Sequence, residues 1–399
     1  MNMHSSVSAI PIGDVVRLVQ SWNPRSLTDG ETINYIDIGS VSQTEKAILP
    51  TQPISAATAP SRARQMVATD DILVSTVRPN LNTVARVAEH LDGATASTGF
   101  CVLRPDQKRL DPGYLFHWVR APAFIEEMTR SATGQSYPAV SERIVKQSTI
   151  PLPPLAEQKR IAAILDQADA LRRLRRRALD RLNMLGQAIF QEMFGDGAHL
   201  PEVPLGTLLT SIDSGKSPKC LDRTATPGEW GVLKLSAVTS GVFRPEENKA
   251  LPDPASVDAR HEVHLGDLLF TRKNTMDLVA ATAIVRSNAQ KLLLPDLIFR
   301  LKIKQSSPVG AEYLHALLSS PRKRKSIQSL AGGAAGSMPN ISKTKLLDVS
   351  IPIPPPLDET RFARTISSLE SARQAASRQF STAETLFSSL QHRAFTGQL

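Results

Sequence analysis

Basic and amide side chains follow two strand-like segments of this chain, at the point where each segment ends. They are Arg78, Asn80, Asn82 and Arg86 after the first segment, and Arg272, Lys273 and Asn274 after the second. Arginine can hydrogen-bond a guanine edge through two donors and asparagine an adenine edge, whereas lysine more often neutralises phosphate. The recurrence of this pattern favours contact with DNA at both places; a solvated strand end is the alternative.

Two proline-bearing loops and one basic loop carry further candidates for DNA contact. These candidates are Gln135, Ser136 and Tyr137 in the first proline loop, Ser337 and Asn340 in the second, and Lys216 and Lys219 in the basic loop. The proline loops can instead be turns that dock on a helix, and the basic loop can be loosely ordered. Another basic run, at residues 322–325, is predicted to be a solvated helix segment that attracts DNA without sequence preference.

Motifs that would support catalysis or metal binding are incomplete. Residues 215–217 (Gly-Lys-Ser) match the end of a phosphate-binding loop, but Thr210 stands where that loop requires glycine. The histidines of the His-Glu-Val-His segment at residues 261–264 are one residue too close for a zinc-protease helix. Cys101 and Cys220 lack paired metal-ligand spacing, which favours a reducing cytoplasm. We therefore expect a cytoplasmic, non-enzymatic chain with no catalytic residue, no metal and no cofactor.

Two long helices are predicted among the elements that position these residues. Apolar side chains recur at steps of three and four, the spacing of a coiled-coil seam. The seam residues expected to hold the helices together or to bind a partner are Ile161, Ile164, Leu171, Leu182, Leu185, Ile189, Phe362, Ile366, Leu369, Phe380, Phe387 and Leu390. The arginine-rich run at residues 172–177 spans more than one helical turn. It can be a solvated face, a partner-docking face or a phosphate contact.

The second half of the chain repeats the plan of the first half. Residues 150–154 (IPLPP) correspond to residues 351–355 (IPIPP), and Tyr114 corresponds to Tyr313. Beyond the prolines the second copy departs from the first, which suggests that Pro356 is an insertion. A repeat of this length indicates domain duplication rather than a solenoid.

These patterns predict an α+β fold made of two domains and two helices in alternation. The mixed α/β domains span residues 1–150 and 200–350, and the long helices span residues 151–199 and 351–399. We expect the helices to pack antiparallel as a coiled coil, with the domains at opposite ends and a pseudo-two-fold axis between them. A single helix is expected at residues 112–128, between the third strand of the first domain and its proline loop.

Length and composition agree with this plan. The 399 residues are 41% hydrophobic and 21% charged, with a formal net charge of +9. Such a length favours more than one domain, and the positive charge favours a polyanionic partner. No apolar run approaches the length of a membrane span, and the N-terminal residues lack the features of a secretion signal.

The chain resembles the DNA-specificity (S) subunit of type I restriction-modification systems. This resemblance rests on three segments: IPLPPLAEQKRIAAILDQAD at residues 150–169, GDLLFTR from Gly266, and SLQHRAFTGQL from Ser389. It covers nearly the whole chain, in the order domain, helix, domain, helix.

The resemblance implies that each domain is a target recognition domain for one half of a split site in double-stranded DNA. The helices would set the spacing between the halves and dock two methyltransferase (M) subunits, and restriction translocase (R) subunits would join the full complex. Chemistry with S-adenosylmethionine and ATP would belong to those partners, so this chain would catalyse nothing. The alternative is a stand-alone coiled-coil adaptor or transcription regulator that binds bipartite DNA.

Overall fold

A computed structural model describes residues 8–27, 30–134, 137–195, 197, 199–253, 257–287, 290–332 and 338–399. The chain forms two compact units. Unit 1 comprises Met1–Ala178 and Ala376–Leu399, and unit 2 comprises Leu179–Ala375. Each long helix therefore contributes one segment to each unit.

Within its described residues, unit 1 consists of short strands, three short α-helices, several 3-10 helices and segments of the two long helices. Its strands are β1 (Ala9–Pro11), β2 (Val16–Arg17), β3 (Thr32–Ile36), β4 (Val41–Ser42), β5 (Ala47–Ile48), β6 (Pro53–Ser55), β7 (Ala63–Met66), β8 (Ile72–Ser75), β9 (Val84–Arg86), β10 (Thr95–Ser97), β11 (Phe100–Pro105) and β12 (Thr149–Pro151). Its short helices are α1 (Pro112–Trp118), α2 (Pro122–Ser131) and α3 (Glu142–Gln147), and the first long helix is α4 (Leu155–Phe194).

The strands of unit 1 form two four-stranded sheets, in the orders β6-β3-β10-β7 and β2-β11-β8-β9, and the pairs β1-β12 and β4-β5. Strands β3 and β10 are parallel, whereas β8 runs antiparallel to both of its neighbours. All four residues of β8 are buried, as its continuous apolar run requires. The core packs Ile72, Leu103 and Tyr114 against Leu165 of α4 and Phe387 near the C-terminus.

Unit 2 has a similar set of elements. Its strands are β13 (Glu202–Pro204), β14 (Leu209–Ser214), β15 (Gly231–Leu233), β16 (Asn248–Ala250), β17 (Leu268–Thr271), β18 (Thr282–Ile284), β19 (Leu292–Leu293), β20 (Ile298–Ile303) and β21 (Ser350–Pro352). Its short helices are α5 (Leu205–Leu208), α6 (Ala311–Ser319), α7 (Pro321–Gln328) and α8 (Lys343–Leu347), and the second long helix is α9 (Pro356–Phe395).

The sheets of unit 2 repeat those of unit 1. The order β14-β20-β17-β18 corresponds to β2-β11-β8-β9, and the pair β13-β21 corresponds to β1-β12. The parallel pair β15-β19, in the three-stranded sheet β16-β15-β19, corresponds to β3-β10. The duplication predicted from the sequence is thus present in the topology.

Equivalent side chains anchor the start of each long helix. Gln158 accepts a hydrogen bond from the Asp111 backbone N–H at 2.9 Å and donates to two carbonyls, and Glu359 accepts from the Gly310 N–H at 3.0 Å. Glu359 therefore takes the place of Gln158. The expectation that Pro356 is an insertion was wrong, because α4 begins at Leu155 and α9 at Pro356 in the same register. Proline is tolerated there since the first turn of a helix leaves its N–H groups unpaired.

The long helices pack against each other in both units. In unit 1, Arg172 pairs with Glu384 at 3.1 Å and Arg175 donates to Gln379 at 2.7 Å, so the two segments run antiparallel. In unit 2, the rings of Phe190 and Phe194 lie 5.7 and 5.4 Å from that of Phe362, measured between centroids. Aromatic pairs at these separations stabilise a core beyond simple burial.

The single helix expected at residues 112–128 is instead two helices, α1 and α2. The break falls before Pro122, because proline lacks a backbone N–H and disfavours helical geometry at the preceding residue. Ala121 accordingly has extended dihedral angles. Within the described part of the chain, no helix has the length and apolar character needed to cross a membrane.

Candidate nucleic-acid interface

In unit 1 the predicted strand-end residues and the predicted proline loop lie side by side. Exit loop 1 (residues 76–82) follows β8, and proline loop 1 (residues 137–140) precedes α3. The Arg78 N–H donates to the Pro138 carbonyl at 2.7 Å, and the Val140 N–H donates to the Thr76 carbonyl at 2.9 Å. These bonds hold the two loops together as one surface.

Arg78 is the best-presented candidate on this surface. Its side chain is exposed, and its guanidinium carbon lies 4.9 Å from the ring centroid of the exposed Tyr137. Its backbone is left-handed, with φ 48°, a conformation that non-glycine residues adopt at a cost. The neighbouring Asn80 is also exposed. An exposed guanidinium that lies over an aromatic ring is suited to planar recognition of a base edge.

Asn82 and Arg86 have different surroundings from Arg78. The Asn82 side chain donates to the Val119 carbonyl at 2.8 Å and so ties exit loop 1 to the end of α1. Arg86 forms an exposed ion pair with Asp70, at 2.7 Å between Nη2 and Oδ1. Asn82 is therefore placed to position the loop, while Arg86 already has an acidic partner.

The turn between β4 and β5 connects exit loop 1 to α4. The Lys46 ammonium donates to the Asn82 carbonyl, and Arg173 of α4 donates to the Glu45 carbonyl at 2.9 Å. Burial, together with the charges of Arg120 and Arg172, lowers the pKa of Lys46 to about 8. Lys46 was not predicted from the sequence as a site residue.

A buried carboxylate in α4 explains part of the arginine-rich run. Asp169 accepts hydrogen bonds from Arg120 at 3.0 and 3.1 Å, and also from Arg172 and Arg173. The side chains of Asp169 and Arg120 are only 2% and 3% exposed. Burial alone would raise the pKa of Asp169, but the guanidinium charges around it hold that pKa below its usual range.

The rest of the run contacts α9. Arg172 pairs with Glu384 and lies 4.8 Å from the Phe387 ring centroid, and Arg176 lies 5.6 Å from that of Phe380. Arg172, Arg173, Arg175 and Arg176 therefore have partners inside unit 1, so a purely solvated face does not describe the run.

Unit 2 has an acidic residue at the corresponding position of its long helix. Glu370 accepts hydrogen bonds from Arg373 on its own helix and pairs with Arg286 at 3.3 Å. Arg286 also pairs with Glu312 of α6 at 2.6 Å. In both units an arginine from the α/β portion thus binds a carboxylate on a long helix, although the arginines come from different elements.

In unit 2 the predicted residues are again brought together, but with a shifted correspondence. Exit loop 2 (residues 272–279) follows β17, and proline loop 2 (residues 338–341) precedes α8. The Asn274 N–H donates to the Pro339 carbonyl at 3.3 Å, and the Ile341 N–H donates to the Arg272 carbonyl at 2.8 Å. By this pairing, Asn274 rather than Arg272 occupies the place of Arg78.

The side chains of exit loop 2 are less available than that of Arg78. Asn274 is buried, and its side-chain oxygen accepts from the Thr275 N–H at 2.8 Å. Arg272 donates to the Asn340 side chain at 3.1 Å and lies over the ring of Phe299. Lys273 is half-buried. Arg272 and Asn340 therefore join the two loops, as Arg78 and Tyr137 do in unit 1.

The remaining DNA-contact candidates lie on the loop after β14 and in segments outside the described residues. Lys216 and Lys219 are exposed on the loop after β14, as expected of phosphate contacts. Gln135, Ser136 and Ser337 lie outside the described residues. All of these assignments stay predictions.

The predicted seam residues divide by burial. Ile161 and Phe387 lie in the core of unit 1, and Phe362 and Ile366 lie in the core of unit 2. Half-buried positions are Ile164, Leu182, Ile189, Leu369, Phe380 and Leu390, while Leu171 and Leu185 are exposed. Among the predicted seam residues, Leu171 and Leu185 are therefore the most accessible to a partner, whereas the buried residues hold the helices in place.

The sequence pattern did not identify the anchoring residues Lys46, Arg120, Asp169 and Gln158. A usable signal existed for the last two, because Asp169 and Glu370, like Gln158 and Glu359, are 201 positions apart and correspond in the repeat. No comparable signal marks Arg120 or Lys46, since their partners are distant in the sequence.

We expect Arg78→Ala to weaken binding of DNA that carries the specific target by about 5- to 150-fold, the range for removal of one bidentate bond to a base. Binding of scrambled duplex should change much less. Fluorescence anisotropy of the full chain with both duplexes measures the difference. The matched control is Arg17→Ala, because Arg17 is an exposed arginine of unit 1 outside the predicted surface and is already paired with Asp106. Equal weakening on specific and scrambled DNA would mean that Arg78 contacts only phosphate.

Comparison with known proteins places this geometry in context. A family model for the type I restriction modification DNA specificity domain matches residues 9–184. The EcoEI specificity subunit of a type I restriction enzyme from Escherichia coli is 32% identical over 164 residues. The EcoKI specificity subunit from Escherichia coli strain K12 is 24% identical over 395 residues.

The coverage of these matches differs. The EcoEI match includes 41% of this chain and 27% of the relative, and the EcoKI match includes 92% and 81%. The crystal structure of a type I restriction-modification S subunit from M. genitalium is 10% identical and covers 99% of this chain and 98% of that one, with a TM-score of 0.60. That likeness shows a shared fold.

Proposed function

The chain belongs to the family of type I restriction-modification DNA specificity subunits, and on this premise we propose that it recognises a two-part DNA target. The portions at residues 1–150 and 200–350 each bind one half of the site in double-stranded DNA. The observation that carries this proposal is the repeated surface made by an exit loop and a proline loop in each unit. The comparisons favour this function over that of a stand-alone regulator.

We further propose that the long helices dock two methyltransferase subunits and fix the spacing between the two halves of the site. Exposed Leu171 and Leu185 supply apolar contact area on α4. Restriction translocase subunits join the full complex. This chain acts in the cytoplasm and catalyses nothing itself; S-adenosylmethionine and ATP chemistry take place on the partners.

Methylation sequencing tests the proposal directly. DNA from cells that carry this chain and its methyltransferase partner should show a methylated motif in two parts, separated by a gap of unspecified bases. An unbroken motif would contradict the division of recognition between two portions of the chain.

A pair of exchanges makes the same test specific to each portion. Replacing residues 8–150 with the matching part of another family member should change one half of the motif and leave the other intact. Replacing residues 200–350 is the matched control and should change only the opposite half. If either exchange alters both halves, the two portions do not recognise DNA independently.

A further inference from the structure

Exit loop 2 and proline loop 2 present apolar side chains, whereas the corresponding loops of unit 1 present Arg78 and Tyr137. Met276, Leu278 and Met338, here called the apolar patch, are between 41% and 52% exposed. The hydrogen bond from Asn274 to Pro339 brings Met338 beside the start of the segment that carries the other two. A group of exposed apolar side chains on a surface of otherwise polar loops marks a contact site.

Side chains of α7 hydrogen-bond the backbone of exit loop 2, which carries Met276 and Leu278. Gln328 of α7 donates to the carbonyls of Met276 and Val279 at 2.9 and 3.2 Å, and Arg324 donates to the Asp277 carbonyl at 2.8 Å. The expectation that residues 322–325 form a merely solvated segment was therefore wrong for Arg324, which supports exit loop 2. Fixed backbone geometry allows Met276 and Leu278 to be presented in one arrangement.

Basic residues adjoin the two loops along the chain. Lys273 precedes the apolar patch on exit loop 2, Lys343 and Lys345 follow proline loop 2, and α7 carries a run of four cations at residues 322–325. Asp277 is the acidic residue within exit loop 2. Apolar groups rimmed by cations fit the major groove of DNA better than they fit a neutral protein surface.

One apolar group is displayed at base-pair edges in the major groove, the C5 methyl of thymine. From the proposed function, on which this step depends, we infer that unit 2 recognises its half-site through thymine methyl groups that pack on Met276, Leu278 and Met338. Unit 1 instead uses the hydrogen-bonding guanidinium of Arg78. The two halves of one target are thus distinguished by different chemistry.

Uracil substitution isolates the methyl group, because deoxyuridine differs from thymidine only by its absence. Once methylation sequencing has identified the target, duplexes are made with uracil in place of thymine in one half-site at a time, and binding by the assembled complex is measured by anisotropy. We expect affinity to fall about three- to fivefold for each packed thymine methyl that is removed from the half-site of unit 2. Uracil in the half-site of unit 1 should have little effect.

Variants connect that effect to the patch. Met276→Ala, Leu278→Ala and Met338→Ala, singly and combined, should reduce the difference between thymine and uracil duplexes. The matched control is Leu265→Ala, since Leu265 is exposed in unit 2 but precedes β17, whereas exit loop 2 follows that strand. That variant should retain the full difference.

Several results would overturn the inference while leaving the proposed function intact. One is a half-site for unit 2 without any A·T pair, and another is equal binding of thymine and uracil duplexes. If the variants weaken binding of the thymine and uracil duplexes equally, the apolar side chains insert between base steps instead of packing on methyl groups. Loss of methyltransferase association would indicate a protein contact. Failure to find a two-part motif would instead count against the proposed function itself.

Discussion

Replacing Asp169 with asparagine is expected to lower the free energy of unfolding of unit 1 by about 3 to 5 kcal/mol, the usual cost of removing one partner from a buried ion pair. Arg120 would remain buried without its carboxylate, and Arg172 and Arg173 would lose a shared acceptor. Urea denaturation of the full chain measures the destabilisation. Hydrogen exchange followed by mass spectrometry should place it in unit 1.

Asp180→Asn is the matched control, because Asp180 is exposed on the same helix. It should change the free energy of unfolding by less than about 0.5 kcal/mol. The pKa of Asp169 is lowered in the folded chain, so its contribution is complete above about pH 5 and decreases as the pH falls through the ordinary aspartate range. If Asp169→Asn behaves like the control at neutral pH, the buried cluster does not stabilise unit 1.

Replacing Gly215 with alanine is expected to destabilise unit 2 by about 3 kcal/mol or more, at the upper end for overpacking. An ideal Cβ at this position would lie 1.7 Å from the Leu294 carbonyl oxygen, so the backbone itself must move. The Gly215 N–H also donates to the Pro295 carbonyl at 3.2 Å, and that bond would be strained. Denaturation curves of the full chain measure the change, and binding of non-specific DNA should fall because Lys216 is displaced with the loop.

Gly186→Ala is the control for this substitution. Gly186 lies inside α4, and a Cβ there would meet only Leu369 at 3.9 Å, an ordinary contact. Alanine should stabilise that helix by about 0.5 to 1 kcal/mol, because glycine is unfavourable in a helix interior. If the two substitutions change the free energy of unfolding by comparable amounts, a small backbone shift is enough to relieve the close contact between the new Cβ at position 215 and the Leu294 carbonyl oxygen.

Local patterns were sufficient to predict the main elements of the fold. The seam spacing and the flanking prolines predicted a long helix within residues 151–199, and the structure has one at Leu155–Phe194. The repeat predicted two similar domains because matching segments recur in matching order. The register at Pro356 was predicted wrongly because the residues that follow the prolines differ between the two copies. The constant offset of 201 residues already paired Gln158 with Glu359, and the hydrogen bond from Gly310 to Glu359 confirms that pairing.

The candidate site was predicted less completely, because its geometry depends on contacts that are remote in the sequence. Arg78 and Tyr137 were predicted as candidates on separate loops, and the structure brings them together. Strand-end position could not distinguish exposed Arg78 from buried Asn274. The direction of a side chain depends on what packs beneath it. For the arginine-rich run, the deciding partners include Glu384, Gln379 and Phe380, about 200 residues away in the chain.

The assembly of unit 1 from both ends of the chain has a consequence for synthesis. Unit 2 is one continuous segment, whereas the core of unit 1 includes Phe387, and Gln391 donates to the carbonyl of buried His117. A ribosome therefore releases every residue of unit 2 before it releases the segment that completes unit 1. Unit 1 is therefore synthesised first but completes its core last. Until the C-terminal segment is released, the apolar strands of unit 1 stay partly exposed and are prone to aggregation.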